Sequence, residues 1–105
     1  MYLTEQELNT IRTFFSAKPV LKAWLFGSYA RGEADEESDV DLLVEVDYNN
    51  LDVFDYLGWA EQLTHVLGKP VDLGSAKHIL RFYRPFIEAD QILLYEGAHR
   101  RQAAA

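Results

Sequence analysis

The amino-acid sequence predicts one α+β domain with α/β-type layers, in which helices cover a small mixed β-sheet. Segments of helical periodicity alternate with short apolar strand-like segments, in the order α-β-(short α)-β-α-β-α-β. The 105-residue chain has the usual size of a single domain, and its 49% hydrophobic content is enough for one core. No internal repeat or linker divides it, so we expect residues 1–102 to form the domain and the alanines at 103–105 to be a tag remnant or a frayed end.

The first elements are an amphipathic helix and a buried strand. Thr4 and Glu7 have the spacing of a capping box, and the apolar residues that follow recur at helical spacing until Pro19. The apolar segment 21–26 then predicts a strand that ends in a tight turn at Gly27.

The later elements begin with a strand at 40–46, in which even positions share one face and odd positions the other. A single longer helix is predicted from its cap at Asp52 to the stop at Gly68. Its apolar stripe consists of Val53, Leu57, Ala60, Leu63 and Leu67. The remaining elements are a brief strand at 70–73, a helix at 79–89 and a last strand at 92–95.

Composition excludes several classes of protein. The net charge of −7 argues against affinity gained by neutralising nucleic-acid phosphates, which requires clustered Lys and Arg. The absence of cysteine excludes a disulfide scaffold and a thiolate zinc site, and His65, His78 and His99 lack the paired spacing of a histidine metal site. No 18-residue apolar run or leader peptide is present, so a soluble cytoplasmic protein is predicted.

The turn at Gly27 and Ser28 is suited to binding phosphate. The N–H groups at a helix start carry partial positive charge, and glycine lets a phosphate approach the main chain. Taken alone, however, a Gly-Ser turn more often indicates a plain N-cap at Ser28. Arg31, one turn further on, either reaches phosphate oxygens or is a solvated surface arginine.

Asp39 and Asp41 project from one face of the same strand. Carboxylate pairs of this kind hold Mg²⁺ together with substrate phosphates. The alternative is that both simply face water on a half-buried strand. Asp is depleted in strands, however, and two charges ~4 Å apart repel by about 4 kcal/mol at an effective dielectric constant of 20, a penalty that a cation would reverse.

Asp72 lies among apolar residues on the next predicted strand. If that strand pairs with segment 40–46, three carboxylates converge, and such a cluster can hold two metal ions. On its own, a structural role for Asp72 is equally consistent with the sequence.

The segments GSYARGEA at 27–34 and SDVDLLV at 38–44, with the spacing between them, resemble the signature of the minimal nucleotidyltransferase family in the DNA polymerase beta superfamily. The resemblance extends over residues 20–95 and implies the nucleotidyltransferase fold. It places the phosphate-binding pair of the family on Gly27 and Ser28 and its metal-binding acids on Asp39 and Asp41. Its third acid falls on Asp72, although the sequence departs from the pattern just afterwards, at 73–75.

The resemblance implies an enzyme that uses ATP and Mg²⁺, with Mn²⁺ left open as the metal ion. Single-domain members of this size are typically antitoxins encoded beside a HEPN-type toxin. The implied reaction is transfer of AMP to a hydroxyl of that toxin, expected to be a tyrosine hydroxyl. Two alternatives stay open: a non-catalytic antitoxin that acts by binding and occlusion, and a nucleotidyltransferase that acts on a small molecule or an RNA end.

Overall fold

The computed structural model of the chain describes residues 1–75 and 89–97. Its helices are α1 (Glu5–Ser16), α2 (Ser28–Arg31), α3 (Val53–Leu57) and α4 (Trp59–Leu67). Its strands are β1 (Val20–Phe26), β2 (Val40–Val46), β3 (Val71–Ser75) and β4 (Ile92–Glu96). The predicted helix at 79–89 falls outside the described residues except for Ala89, as do His78, His99 and the terminal alanines.

The four strands form one mixed sheet in the order β3-β2-β1-β4. β1 is antiparallel to both β2 and β4, whereas β2 and β3 are parallel. The α+β class with a small mixed sheet is therefore confirmed. β2 lies between two neighbours, so a side chain at its start is placed between β1 and β3.

One face of the sheet packs against α1 and α4. The even-numbered residues of β2 point into this core, as predicted, and are buried. The largest fully buried side chains are Trp59, Phe15, Ile11, Leu42, Leu63, Val20, Val40 and Val44. Within the described residues, no helix is long and apolar enough to cross a membrane.

The capping box at the start of α1 is confirmed and has an additional partner. Thr4 Oγ1 accepts from the backbone N–H of Glu7 at 3.1 Å, and Glu7 Oε1 accepts from the N–H of Thr4 at 2.8 Å. Glu7 Oε2 also pairs with Lys69 Nζ at 2.9 Å. Glu7 therefore connects the start of α1 to the residue just after the C-cap of α4.

The prediction of a single helix from Asp52 to Gly68 is wrong, because Gly58 divides it into α3 and α4. Asp52 does cap α3, and Gly68 ends α4 in the left-handed conformation (φ 71°), as expected. The predicted apolar stripe is correct only in its second half. Val53 and Leu57 are exposed because α3 contacts the core through its opposite side, while Leu63 is buried.

The strand predicted at 70–73 extends further than the sequence indicates. β3 runs from Val71 to Ser75, and Gly74 pairs with Leu43 of β2. A Cβ at Gly74 would lie 3.3 Å from Leu43 Cδ2, so the glycine leaves room for the leucine. The departure from the family pattern after Asp72 does not interrupt the strand that carries this acid.

Candidate active site

The turn between β1 and α2 is built on Gly27. Its backbone lies at φ 75° and ψ −156°, a region that residues other than glycine essentially do not occupy. Its carbonyl oxygen accepts the first hydrogen bonds of α2, from the N–H groups of Ala30 at 3.0 Å and Arg31 at 3.1 Å. Gly27 is thus the N-cap and Ser28 the first helical residue, so the reading of Ser28 as a plain N-cap is wrong.

Gly27 also makes room for Asp41. A Cβ placed on Gly27 would overlap Asp41 Oδ2 and would lie 3.2 Å from Asp41 Cγ. The carboxylate therefore lies directly against the glycine Cα. Gly27 and Asp41 are 14 positions apart in the sequence. They meet at this contact because Phe26 pairs with Asp41 across β1 and β2.

Asp39 is exposed and directly precedes β2. A hydrogen-bonded turn directly precedes Asp39. In this turn Ser38 Oγ accepts from the N–H of Asp35 at 2.9 Å, and the N–H of Ser38 donates to the carbonyl of Asp35 at 3.2 Å. The N–H of Val40 then donates to the carbonyl of Pro70 at 2.8 Å and begins the pairing with β3. Asp39 therefore lies at the end of the sheet where β2 and β3 begin.

Asp72 faces Asp41 directly in the β2–β3 pair. Neighbouring strands lie about 4.8 Å apart, and partners in a parallel pair point to the same face. The pairing on which convergence of the three acids depended is therefore present. Asp72 is exposed, whereas Asp41 is partly buried between its neighbours.

The electrostatic consequence falls on Asp41. Its pKa is raised from 3.8 to about 6, first by burial and then by the negative charges of Asp72 and Asp39. Arg31 partly offsets these effects. The three carboxylates are therefore close enough to repel one another, which is the condition that a bound cation relieves.

The donor set fits Mg²⁺ in part. Carboxylate oxygens are the hard ligands that this ion prefers, and Asp39, Asp41 and Asp72 supply them. Across residues 1–75 and 89–97, however, no three acidic or histidine side chains form a ready-made metal cage. Mg²⁺ usually keeps several waters and binds through one or two carboxylates plus substrate phosphates, so an open carboxylate cluster suits nucleotide-dependent binding.

Arg31 is engaged with two acids. Its Nε lies 2.7 Å from Glu33 Oε1 and its Nη1 lies 2.6 Å from Asp90 Oδ2, and these hydrogen bonds raise its pKa. Arg31 is therefore not a freely solvated arginine, because its guanidinium pairs with Glu33 and Asp90. Contact with a phosphate would require Arg31 to exchange at least one of these partners.

Asp90 is the partner that the sequence did not reveal. It lies 59 residues from Arg31 and joins α2 to the segment before β4. No local motif marks such a pair, because only the antiparallel pairing of β1 with β4 brings the segment close. The contact of Asp41 with Gly27 was also missed, although a glycine ending a strand opposite an acid is a signal for it.

Comparison with known proteins is consistent with this geometry. Residues 8–95 match the family model described as "Nucleotidyltransferase domain". The chain is 51% identical over 70 residues to a Methanocaldococcus jannaschii protein provisionally named a protein adenylyltransferase, covering 65% of this chain and 70% of that one. It is 37% identical over 93 residues to the protein adenylyltransferase MntA of Thermococcus cleftensis, covering 75% of this chain and 92% of the relative.

The fold is shared with a solved complex described as a tri-AMPylated HEPN toxin of Shewanella oneidensis with MNT antitoxin. The TM-score is 0.69 at 19% identity, over 97% of this chain and 79% of the matched chain. The chain belongs to the nucleotidyltransferase domain family, as a minimal nucleotidyltransferase.

Proposed function

We propose that this chain transfers AMP from ATP to a tyrosine hydroxyl of a HEPN-type toxin and so neutralises the toxin. The observation that supports this most directly is the alignment of Asp41 with Asp72 beside Gly27, with Asp39 at the same edge. The relatives named as protein adenylyltransferases support the transferred group. The description of a tri-AMPylated HEPN toxin bound to an MNT antitoxin supports the acceptor.

In the proposed reaction the acceptor oxygen attacks the α-phosphorus of ATP. The bond from this phosphorus to the bridging oxygen breaks, pyrophosphate leaves, and a phosphodiester joins AMP to the acceptor. Asp72, exposed at the edge of the sheet, takes the proton of the hydroxyl. Gly27 and Ser28 bind the β- and γ-phosphates through the backbone at the start of α2, and Arg31 contributes positive charge.

Asp39 and Asp41, with Asp72, are the residues that would hold Mg²⁺. When bound, the ion neutralises phosphate charge and lowers the pKa of an attacking hydroxyl. No cysteine or histidine nucleophile is required, because positioning and electrostatic stabilisation supply most of the catalysis in this class of reaction. A reaction that consumes ATP also fits the cytoplasmic location expected from the sequence.

The test combines the purified chain, ATP labelled at the α-phosphate, MgCl₂ and the product of the neighbouring gene, which the proposal expects to be a HEPN-type toxin. We expect label on the partner's tyrosine and none with Asp39→Asn/Asp41→Asn. The matched control is Glu36→Gln/Glu37→Gln, which removes the same charge from exposed residues of the preceding loop. Full labelling by the first variant would refute the enzymatic proposal.

A toxicity assay separates catalysis from occlusion. If Asp39→Asn/Asp41→Asn still rescues cells from the toxin, the chain acts by covering its partner. If the wild-type chain labels an RNA end or a small molecule in preference to the HEPN-type protein, the acceptor class is wrong.

A further inference from the structure

Arg31 is held between two carboxylates that come from different parts of the chain. Its Nη1 lies 2.6 Å from Asp90 Oδ2 and its Nε lies 2.7 Å from Glu33 Oε1. Arg31 ends α2, and its N–H donates to the carbonyl of Gly27, whose Cα lies against the Asp41 carboxylate. Burial and the neighbouring acids raise the pKa of Asp41, and the positive charge of Arg31 acts against this rise. The guanidinium is therefore within electrostatic range of the acid cluster.

The sheet places Asp90 beside the same turn. Leu25 of β1 pairs with Ile92 of β4 in an antiparallel register. Each step back along β4 is a step forward along β1, so continuing this register past the strand ends places Asp90 level with Gly27. The turn at Gly27 thus has Asp41 on the side of β2 and Asp90 on the side of β4. The Asp90 side chain is only 26% exposed, so this carboxylate is partly shielded from water.

Glu33 reaches Arg31 by a local route. Gly32 ends α2 in the left-handed conformation (φ 78°), and the N–H of Glu33 then donates to the carbonyl of Ser28 at 2.9 Å. This reversal brings a residue two positions along the chain back to the guanidinium. The Glu33 side chain is 66% exposed, and exposed ion pairs contribute little because water solvates the separated charges well. Glu33 is therefore the more easily displaced partner of Arg31.

A nucleotide phosphate would make the two carboxylates of Arg31 unequal. A guanidinium binds phosphate through the same N–H groups that bind carboxylates, so a phosphate competes with a carboxylate for Arg31. Displacing the exposed Glu33 costs less than displacing the shielded Asp90. With Asp90 retained, the guanidinium keeps its orientation, and less side-chain entropy is lost when the phosphate binds.

We propose that Asp90 is a positioning residue, which keeps the guanidinium of Arg31 at the nucleotide site, and that Glu33 is the partner that a phosphate of ATP replaces. This inference rests on the proposed function and names the residues that prepare its arginine for phosphate. Removing either carboxylate makes the site less negative, so charge alone would strengthen ATP binding in both cases. The proposal predicts opposite effects, because only Asp90 orients Arg31.

The test is titration calorimetry of the full chain with ATP and MgCl₂. Asp90→Ala should raise the Kd for ATP by about tenfold, the scale of one hydrogen bond to a charged group. Glu33→Ala should lower the Kd by about threefold, the scale of an exposed ion pair. Glu36→Ala removes the same charge from an exposed residue of the following loop and is the matched control for charge alone. It should change the Kd by less than about twofold, because salt screens exposed charges.

The same two replacements in an Arg31→Gln background separate positioning from damage to the fold. Without the guanidinium, neither Asp90→Ala nor Glu33→Ala should retain its effect on the Kd for ATP. A change that acted through the fold would persist in this background. Urea unfolding of each variant establishes the conditions in which all of them are folded.

Several results would overturn the inference. Asp90→Ala could lower the Kd or change it no more than Glu36→Ala does, Glu33→Ala could raise the Kd or leave it unchanged, or either effect could persist in Arg31→Gln. A wild-type chain that binds ATP but labels no partner would refute only the proposed acceptor, and the Kd values would still decide the roles of Asp90 and Glu33. A wild-type chain that does not bind ATP would refute both.

Discussion

Replacing Gly27 with alanine should displace the Asp41 carboxylate, and the same replacement at Gly68 should displace nothing. Both glycines have positive φ, 75° and 71°. The alanine Cβ at Gly27 would overlap Asp41 Oδ2, while at Gly68 no atom lies within 4 Å of the new Cβ. Gly68→Ala is therefore a control for the cost of positive φ without a clash.

The two replacements should differ in magnitude. Alanine in the left-handed conformation at Gly68 costs about 1 kcal/mol of folding free energy. At Gly27, with ψ at −156°, the backbone alone costs about 1–3 kcal/mol, and the overlap with Asp41 adds to it. A displacement of about 1 Å at a reacting centre lowers turnover on the order of 100-fold. We expect this loss for Gly27→Ala and less than about a twofold change for Gly68→Ala.

A double-mutant cycle measures the overlap itself. Urea unfolding gives the cost of Gly27→Ala in the wild type and in Asp41→Ala, where the carboxylate is gone. The cost should be smaller in Asp41→Ala by about 1 kcal/mol, within the range found for residues in contact. Transfer of labelled AMP, measured where all variants are folded, gives kcat. Equal cost in both backgrounds, or a kcat for Gly27→Ala equal to that of Gly68→Ala, would refute the reasoning.

Three further predictions concern stability. In metal-free buffer, Asp41→Asn should stabilise the chain increasingly from pH 4 to 7, because the wild type, with a folded-state pKa of about 6 for Asp41, loses stability over this range as the carboxyl ionises. Two pKa units correspond to about 2.7 kcal/mol, or about 1–2 kcal/mol after solvent screening. Urea unfolding measured across this pH range with no trend would contradict the prediction. Glu7→Gln should lower the free energy of unfolding by about 1 kcal/mol at pH 7 and by less below pH 4.5. Burial raises the pKa of Glu7, but the hydrogen bonds of Thr4 and the charge of Lys69 outweigh burial and lower it, so this stabilisation is lost in acid. A cost that does not depend on pH would count against this. Leu63→Ala should cost about 2–5 kcal/mol and Leu57→Ala less than about 0.5, and similar melting temperatures for the two would restore the single-helix prediction.

The sequence was sufficient for the strand that carries the acids. Alternation along β2 correctly separates a buried face from the face of Asp41, because the side-chain period of a strand is two. The alignment with Asp72 required the parallel pairing of two strands about 30 residues apart, which no local pattern specifies. Family resemblance supplied that long-range information, and the pairing agrees with it.

The division of the helix at Gly58 could not be read from periodicity. Val53 and Leu57 are in helical phase with Leu63, so a single stripe fits the pattern. Contacts from the opposite side of α3, through Asp55 and the Trp59 indole, turn the apolar residues outward instead. Tertiary contacts thus override a local pattern that is equally regular in both arrangements, and the glycine within the run is its only local sign.

The position of β2 has a consequence for selectivity. This strand lies inside the sheet, with Asp41 near one end and the connection to α3 at the other. Hydrogen bonds to both neighbours make β2 a rigid element, so the sheet rather than a loop fixes the position of the Asp41 carboxylate. Under the proposed function, an acceptor hydroxyl is therefore selected by whether it reaches this fixed position.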